Sequence, residues 1–423
     1  MPSAEHAGVA AAAERPLVLV WKRAWLQDSE TFVRNQMHGL ERWRALGVGL
    51  ERTGSGVLHD RTDIVLHDPI TPRGRRSLLL RWFGVSRRLD AIVDEHRPAL
   101  IHAHFLIDAV SIARYARRRR LPLVVTGHGY DVTSWPLATG APRLLRPLAR
   151  AHRALEARAV FRTAHAVIGV SRFITDGLLR LGADPRRTGV GYIGVPTSRP
   201  EAAPAAERAG IVFVGRLTDK KGVPDLLEAV AALPGPIRDV PLTVVGDGHL
   251  REALVEQAAR LRLRVTFTGS LPPAEVARIL AGAAVFCAPS RTAATGDSEG
   301  FGMVFLEAAL AGVPVVSYHH GGVPEAVEDG VTGLLVPEGD VPGLTGALAA
   351  LLRDPDRAER MGAEGRERVL ASFDLAERIR DLEDLYDRAV SVDDGRRSRM
   401  SRAEHRADDP RPGLRPASAG RER

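Results

Sequence analysis

Short apolar runs alternate with helix-length segments along most of this chain, and that alternation restricts the fold to stacked βα units around parallel sheets. In the first half the predicted strands are 17–21, 100–104, 123–126, 166–170 and 190–193. The alternation breaks at a strand-free stretch carrying Pro196, Pro200 and Pro204, a composition that links domains. It restarts with 211–214, 242–245, 265–268, 285–288, 313–317 and 333–336. The expected architecture is therefore α/β, with two Rossmann-like parallel-sheet domains, 15–196 and 209–373, joined by a linker at 197–208. Two such sheets face each other across a cleft lined by the carboxyl ends of their strands, where a ligand binds. A final helical pattern at 374–391 is long enough to pack back across the interface. The Ala-rich start (1–14) and the Arg/Asp/Ser/Pro/Gly-rich end (392–423) carry few large apolar residues and are expected to be disordered.

Composition excludes several classes. With 423 residues and 44% hydrophobic content the chain can bury two ordinary cores. A single cysteine, Cys287, rules out a disulfide framework or a thiolate metal site, and a cytoplasmic location is expected. No run approaches the roughly 20 apolar residues that span a bilayer, and the N-terminus lacks a signal-peptide pattern. The net charge is +7. Arg73, Arg75, Arg76, Arg81, Arg87 and Arg88 surround Trp82 and Phe83, and a second cluster runs from Arg114 to Arg120. A basic helix with aromatic residues can lie on an anionic membrane surface; an ordinary solvated face explains the same pattern equally well. No groove-reading helix, zinc-finger spacing or single-strand signature points to nucleic acid.

One segment concentrates the chemistry. Between Ser298 and Ala309, Glu299 and Glu307 bracket a Gly300-Phe301-Gly302 turn and an apolar helix start. The residues around Glu307 are apolar, so the helix is expected to be buried all round. A carboxylate there is costly unless something pairs with it, and the hydroxyls of a ligand are one such partner. The glycines let a phosphate approach the amides of Gly302, Met303 and Val304. A matching cationic site follows the strand 211–214: Gly215 and Arg216 end it, and Lys221 and Gly222 precede a helix at 223–231. An arginine fork and a lysine beside a helix N-terminus suit a diphosphate. Glu307, one turn into its helix, then lies where a ribose diol would be, and Glu299 points toward whatever is attached beyond the phosphates.

Among the histidines, His128 lies between two glycines at a strand end on the cleft. His102 and His104 share a strand face, but no carboxylate partner is evident and a polar strand end is the simpler reading. His319 and His320 read as a loop. Asp354-Pro355-Asp356 reads as one helix stopping and another starting. Gly246-Asp247-Gly248 lacks the full dinucleotide fingerprint, and no Gly-x-Ser-x-Gly elbow is present.

Together these residues resemble the GT-B glycosyltransferases of group 1, or family 4, which are retaining enzymes. The E-x7-E pattern is met by Glu299 and Glu307, and the Gly-Arg-Leu…Lys-Gly pattern by 215–217 with Lys221 and Gly222. The segments 288–290, 311–316 and Gly321-Gly322-Val323-Pro324-Glu325 are also in the family's style. The first half, with Ser29-Glu30-Thr31-Phe32, His102-Ala103-His104-Phe105 and 126–131, is similar to bacterial exopolysaccharide enzymes of the colanic acid type. It lacks the Gly-Gly loop of many members. The resemblance implies a UDP-sugar or GDP-sugar donor, with Arg216 and Lys221 on the diphosphate, Glu307 on the ribose, Glu299 on the donor sugar and His128 beside the transferring carbon. Base contacts are expected from the loop holding Ser270 and Leu271. It also implies a saccharide or lipid-linked acceptor, no required metal and no permanently bound cofactor, at the inner face of the membrane. A phosphorylase, an epimerase or a non-catalytic nucleotide-sugar scaffold would share the fold.

Overall fold

A computed structural model describes residues 15–27, 30–53, 59–66, 75–135, 145–197 and 208–407, the side chains of 75–78 and 392–407 excepted. The expected disordered start at 1–14, Asp28 and Ser29, Arg73, most of the expected linker and the last residues from 408 lie outside that set. Two sheets, parallel throughout, organise the chain. The first contains β1 (Leu17–Trp25), β2 (Arg44–Arg52), β3 (Ile64–Val65), β4 (Leu100–His104), β5 (Leu123–Gly127), β6 (Ala166–Gly169) and β7 (Thr188–Val190), in the order 3-2-1-4-5-6-7. The second contains β8 (Ile211–Val214), β9 (Leu242–Val245), β10 (Val265–Gly269), β11 (Val285–Cys287), β12 (Val315–His319) and β13 (Gly333–Pro337), in the order 10-9-8-11-12-13. This is the two-domain α/β fold expected from the alternation.

The central strands β4 and β5 are buried along their whole length because helices cover both of their faces, and apart from His102 and His104 of β4 they are largely apolar. All five residues of β4 and all five of β5 are buried. β2 and β3 were not predicted. β2 carries Gly47 and Gly49, which weaken a strand signal, yet a Cβ on either would collide with Trp25 of the neighbouring strand. β7 runs from Thr188 to Val190, earlier than the expected 190–193. The helix Val223–Ala231 falls where the sequence predicts it. Asp354 ends the helix Val341–Arg353 and caps the next, Pro355–Ser372, accepting from the Arg357 amide at 2.9 Å.

The chain passes between the two units twice, side by side. Val195 bridges to Asp374, its amide donating to the Phe373 carbonyl at 2.9 Å, and the Leu375 amide donates to the Val195 carbonyl at 3.1 Å. The last helix then crosses to the first domain. It runs from Leu375 to Ala407, past 392, where the sequence leads to an expectation of disorder. The segment is poor in apolar residues but rich in Arg, a good helix former, and free of proline before Pro410, and helix propensity needs no apolar face.

Glu383 fixes this helix to the first domain. Its carboxylate is fully buried and accepts the amides of Glu41, Arg42 and Trp43 at 2.9, 2.7 and 3.0 Å. Trp43 donates its indole N–H to Asp387 at 2.9 Å, and Tyr386 meets His102 at 2.6 Å. Removing a buried acceptor strands three donors together. Glu383→Ala is expected to lower unfolding stability by about 2–4 kcal/mol, read as an earlier midpoint in chemical denaturation.

Candidate active site

Each sheet reverses its strand order beside its first strand, at β1/β4 and at β8/β11, and ligands of such folds sit outside the carboxyl ends of strands at these points. On the second domain, β8 delivers Gly215 and an exposed Arg216 that pairs with no described side chain. The following turn, Asp219–Lys221, ends at Gly222, whose φ of +64° favours glycine and whose missing Cβ leaves room for the Pro289 carbonyl. That close approach brings the β8 loop against the β11 loop. Lys220 is buried and pairs with Asp297 at 3.1 Å, while Lys221 pairs with Glu299.

Glu299 is the electrostatic centre of this half. Its carboxylate takes a hydrogen bond from Lys221 and another from the Ser290 hydroxyl at 3.2 Å. Burial alone would raise its pKa; the charges of Lys221 and Lys220 and these two bonds outweigh burial and hold it at about 2. It is ionised at every physiological pH.

The helix Met303–Leu310 is not buried all round, as its composition predicts. Phe305, Leu306 and Ala308 to Leu310 face the core, while Met303, Val304 and Glu307 share a partly exposed face. Glu307 is therefore a carboxylate on an open helix face, and its sequence anomaly reflects the small size of that face. Gly302 starts the helix at φ +87°. The Phe301 ring points away from the cleft into an aromatic cluster, 5.5 Å from both Tyr192 and Phe373, so only its backbone is available to a ligand. Ser270 is exposed and Leu271 partly so, beyond the edge strand β10.

The glycine turn also joins the domains. A Cβ on Gly300 would collide with the His128 carbonyl, and the Gly300 carbonyl accepts the Ser171 hydroxyl at 2.6 Å. Ser171 caps the helix Arg172–Arg180. Across the same interface Glu325 accepts the first amides of that helix, Arg172 at 2.7 Å and Phe173 at 3.0 Å, and the Tyr192 hydroxyl at 2.9 Å.

A family model for glycosyl transferases group 1 matches residues 195–368, and one for glycosyltransferase family 4 matches 30–199. A GDP-mannose-dependent alpha-(1-6)-phosphatidylinositol monomannoside mannosyltransferase of Mycolicibacterium smegmatis is 32% identical over 76% of this chain and 81% of its own length. The chain belongs to the group 1, family 4 glycosyltransferases. WcaL of Escherichia coli, assigned to colanic acid biosynthesis, is 33% identical over 73% of this chain and 77% of its own. Among solved structures, Anabaena HepE in complex with UDP and glucose superposes with a TM-score of 0.70 at 21% identity, covering 88% of this chain and 99% of that one, which shows a shared fold.

On the first domain of this glycosyltransferase, His128 stands at the end of β5 between the rings of Phe32 and Phe105, at 4.9 and 4.4 Å. Its Nε2 lies 3.1 Å from His104 Nδ1, and its Nδ1 is enclosed without a partner among the described residues. Burial, with the nearby charge of Lys22, holds His128 well below the ordinary histidine value, so the ring is neutral. His102 bonds Tyr386 and Thr126, and no described cluster of His, Cys, Asp or Glu has metal-binding geometry. Asp131 lies beneath the loop, fully buried, accepting the amides of Leu106, His128 and Gly129 at 2.7, 3.1 and 2.8 Å.

Sequence reasoning passed over Lys22 and Asp108, and met Glu30 only as part of a family pattern. Lys22 is a charge inside an apolar strand, and that was the available signal. Its ammonium is buried, 2.8 Å from Glu30, 3.7 Å from Asp108 and 3.9 Å from the Phe105 ring centroid. Glu30 also accepts the Gln27 amide at 2.8 Å, so it closes the β1 loop rather than facing the cleft. Burial pushes Asp108 up to about 6 against the opposing charges of Lys22 and Arg23. A native pKa above the unfolded value means that ionised Asp108 subtracts stability, an effect growing from about pH 4 to 6 and constant above. Asp108→Asn is therefore expected to raise the melting temperature at pH 8, and the gain should shrink as the pH falls to 4; a pH-independent difference would refute the assignment.

Proposed function

We propose that this glycosyltransferase moves a sugar from a UDP- or GDP-sugar to a saccharide or lipid-linked acceptor, with retention and without a required metal, in exopolysaccharide or cell-surface glycan synthesis. The observation that carries this reading is the Lys221–Glu299 contact, made from the same β8 loop that presents Arg216, which is exposed and pairs with no described side chain. A cation and a carboxylate held together at the β8/β11 crevice match a ligand that presents phosphate oxygens on one side and hydroxyls on the other. A bound donor takes Lys221 and Arg216 onto its diphosphate and Glu299 onto the sugar, and the Met303–Leu310 helix offers its first amides to phosphate and Glu307 to the ribose. Ser270 and Leu271 border the base.

As the glycosidic bond breaks, negative charge gathers on the departing diphosphate, and fixed cations and amides meet it without a metal. Asp131 is spent on three backbone amides, so it serves as a brace for the His128 loop and not as a carboxylate nucleophile. This supports attack on the same face as departure, with the leaving phosphate taking the acceptor proton. The neutral His128 ring lines the reacting centre and carries no charge that would repel an oxocarbenium-like sugar.

Release of nucleoside diphosphate from a donor panel in the presence of saccharide and lipid-linked acceptors tests the reading. Lys221→Ala, Glu299→Ala and Glu307→Ala are each expected to reduce turnover by about 100-fold or more. Full activity in all three would sink the site assignment. Thermal shift with UDP, GDP and ADP narrows the donor class in one experiment.

A membrane-facing surface is proposed on the first domain. No helix among the described residues is long and apolar enough to cross a membrane. Trp82 and Phe83, on the helix Arg75–Phe83, are exposed, as are Leu148 and Leu155 of the helix Arg146–Thr163. The two helices meet through Arg81–Glu156 and Trp82–His152. Several arginines of the basic clusters are engaged internally, Arg118 with Asp90 and Arg119 with Asp90 and Asp94, so apolar insertion carries more of the binding than the sequence implies. Co-sedimentation with vesicles containing anionic lipid is expected, weakened by Trp82→Ala with Phe83→Ala. Binding indifferent to both the variant and the anionic lipid would refute it.

A further inference from the structure

At the end of β12 the chain presents two histidines that face opposite ways: His319, the last residue of the strand, is exposed, while His320 is buried. His320 Nε2 lies 3.3 Å from the Glu299 backbone nitrogen, in line to accept its N–H, and Nδ1 lies 2.8 Å from Glu338 Oε2. An imidazole that accepts on Nε2 carries its proton on Nδ1, and the Glu338 carboxylate is the acceptor that holds it there. Glu338 is itself fixed, its Oε1 taking the Thr292 amide at 2.7 Å and its Oε2 the Thr292 hydroxyl at 3.3 Å.

The other side of the Glu299 residue is gripped by the same loop. The Gly322 amide donates to the Glu299 carbonyl at 3.0 Å. Gly321 stands at φ +55°, and a Cβ there would collide with that carbonyl. The loops after β11, β12 and β13 therefore converge on one residue: Thr292, His320 with Gly321 and Gly322, and Glu338. Thr292 continues from Arg291, whose amide donates to the Lys220 carbonyl at 2.8 Å, so the β8 loop is tied to the same frame.

We propose that His320, kept in one tautomer by Glu338, is a positioning residue that sets the Glu299 backbone and thereby the carboxylate that meets the donor sugar. This rests on the reading of Glu299 given above. The Glu299 carboxylate is held by Lys221 and Ser290, so a rotation of its peptide, which carries the Cα with it, shifts the carboxylate against those partners and the sugar hydroxyls together. Displacements of about 1 Å in such a group cost on the order of 100-fold in rate. On that reading the nucleotide end of the donor is held by Arg216, Lys221, Glu307 and the first amides of the Met303–Leu310 helix, groups other than this peptide.

Two substitutions separate the hydrogen bond from bulk packing. His320→Leu keeps an apolar filler without an acceptor, and His320→Gln places an amide oxygen near the position of Nε2. In the ligand-free protein, amide hydrogen exchange at Glu299 is expected to quicken at least 10-fold in His320→Leu and to return toward wild type in His320→Gln. Nucleoside diphosphate affinity stays within about 2-fold, while sugar-transfer turnover falls on the order of 10- to 100-fold in the leucine variant and recovers in the glutamine variant. Wild-type exchange and turnover in His320→Leu would overturn the proposal. So would equal losses in the two variants, which mark packing alone, or a parallel loss of nucleoside diphosphate binding, which marks a general collapse of the domain. If the wild-type protein binds nucleotide but transfers no sugar, the assignment of Glu299 falls, whereas the exchange measurement still decides the His320 contact.

Discussion

Gly300 is the point on which the cleft depends. It sits where two domains come into backbone contact, its Cα against the His128 carbonyl, its own carbonyl bonded to Ser171 and backed by Gly322, which likewise has no space for a Cβ. A side chain at either position would push the Glu299–Gly302 turn away from the first domain, and the groups assembled on the two sheets would no longer face one another. The glycines here serve close approach, and the left-handed backbone of Gly302 and Gly321 then turns the chain into the helix and the loop that flank it.

Around that contact, carboxylates of the same chemistry are given separate tasks by their surroundings. Glu299 is surrounded by lysines and kept strongly acidic, ready to accept hydroxyl hydrogens. Asp108, buried with a single lysine shared between it and Glu30, is pushed toward neutrality. Asp131 and Glu383 are saturated by backbone amides and act as struts, one under the His128 loop and one at the foot of the last helix. Glu325 closes an interface. The sequence shows five acidic residues; the partners decide which of them is available to a ligand.

The alternation of strands and helices was readable because parallel strands covered on both faces are nearly continuous apolar runs, and β4, β5, β8 and β9 were placed to within a residue or so. β2 escaped because its glycines make room for Trp25, a fact of tertiary packing. The cationic loop after β8 was legible since it is local: Arg216, Lys221 and Gly222 lie within seven residues of one another. Glu307 was misread as buried because an eight-residue helix with one narrow open face has almost no polar signature. His320, Ser171 and Glu325 were invisible as site residues for a different reason. Each acts on a backbone group more than twenty residues away or in the other domain, and no local pattern encodes such a partner.

The interface between the domains is built unevenly, and the unevenness is consistent with a cleft that opens. Near the two chain crossings Tyr192, Phe301 and Phe373 form a contiguous aromatic cluster with ring centroids 5.5 Å apart, and apolar area of this kind is lost only if the crossings themselves part. Toward the ligand side the contacts are polar: Ser171 with Gly300, Glu325 with the Arg172 and Phe173 amides, and the Ser298 amide with the Thr133 hydroxyl at 3.4 Å. Every one of these donors and acceptors can exchange its partner for water at small net cost. A rotation about the aromatic end therefore sacrifices little apolar burial while separating His128 from the Glu299 turn. In the structure the Glu325 contacts to the Arg172–Arg180 helix, the Gly300 contact and the facing loops of the two domains are made together, on one side of the aromatic cluster.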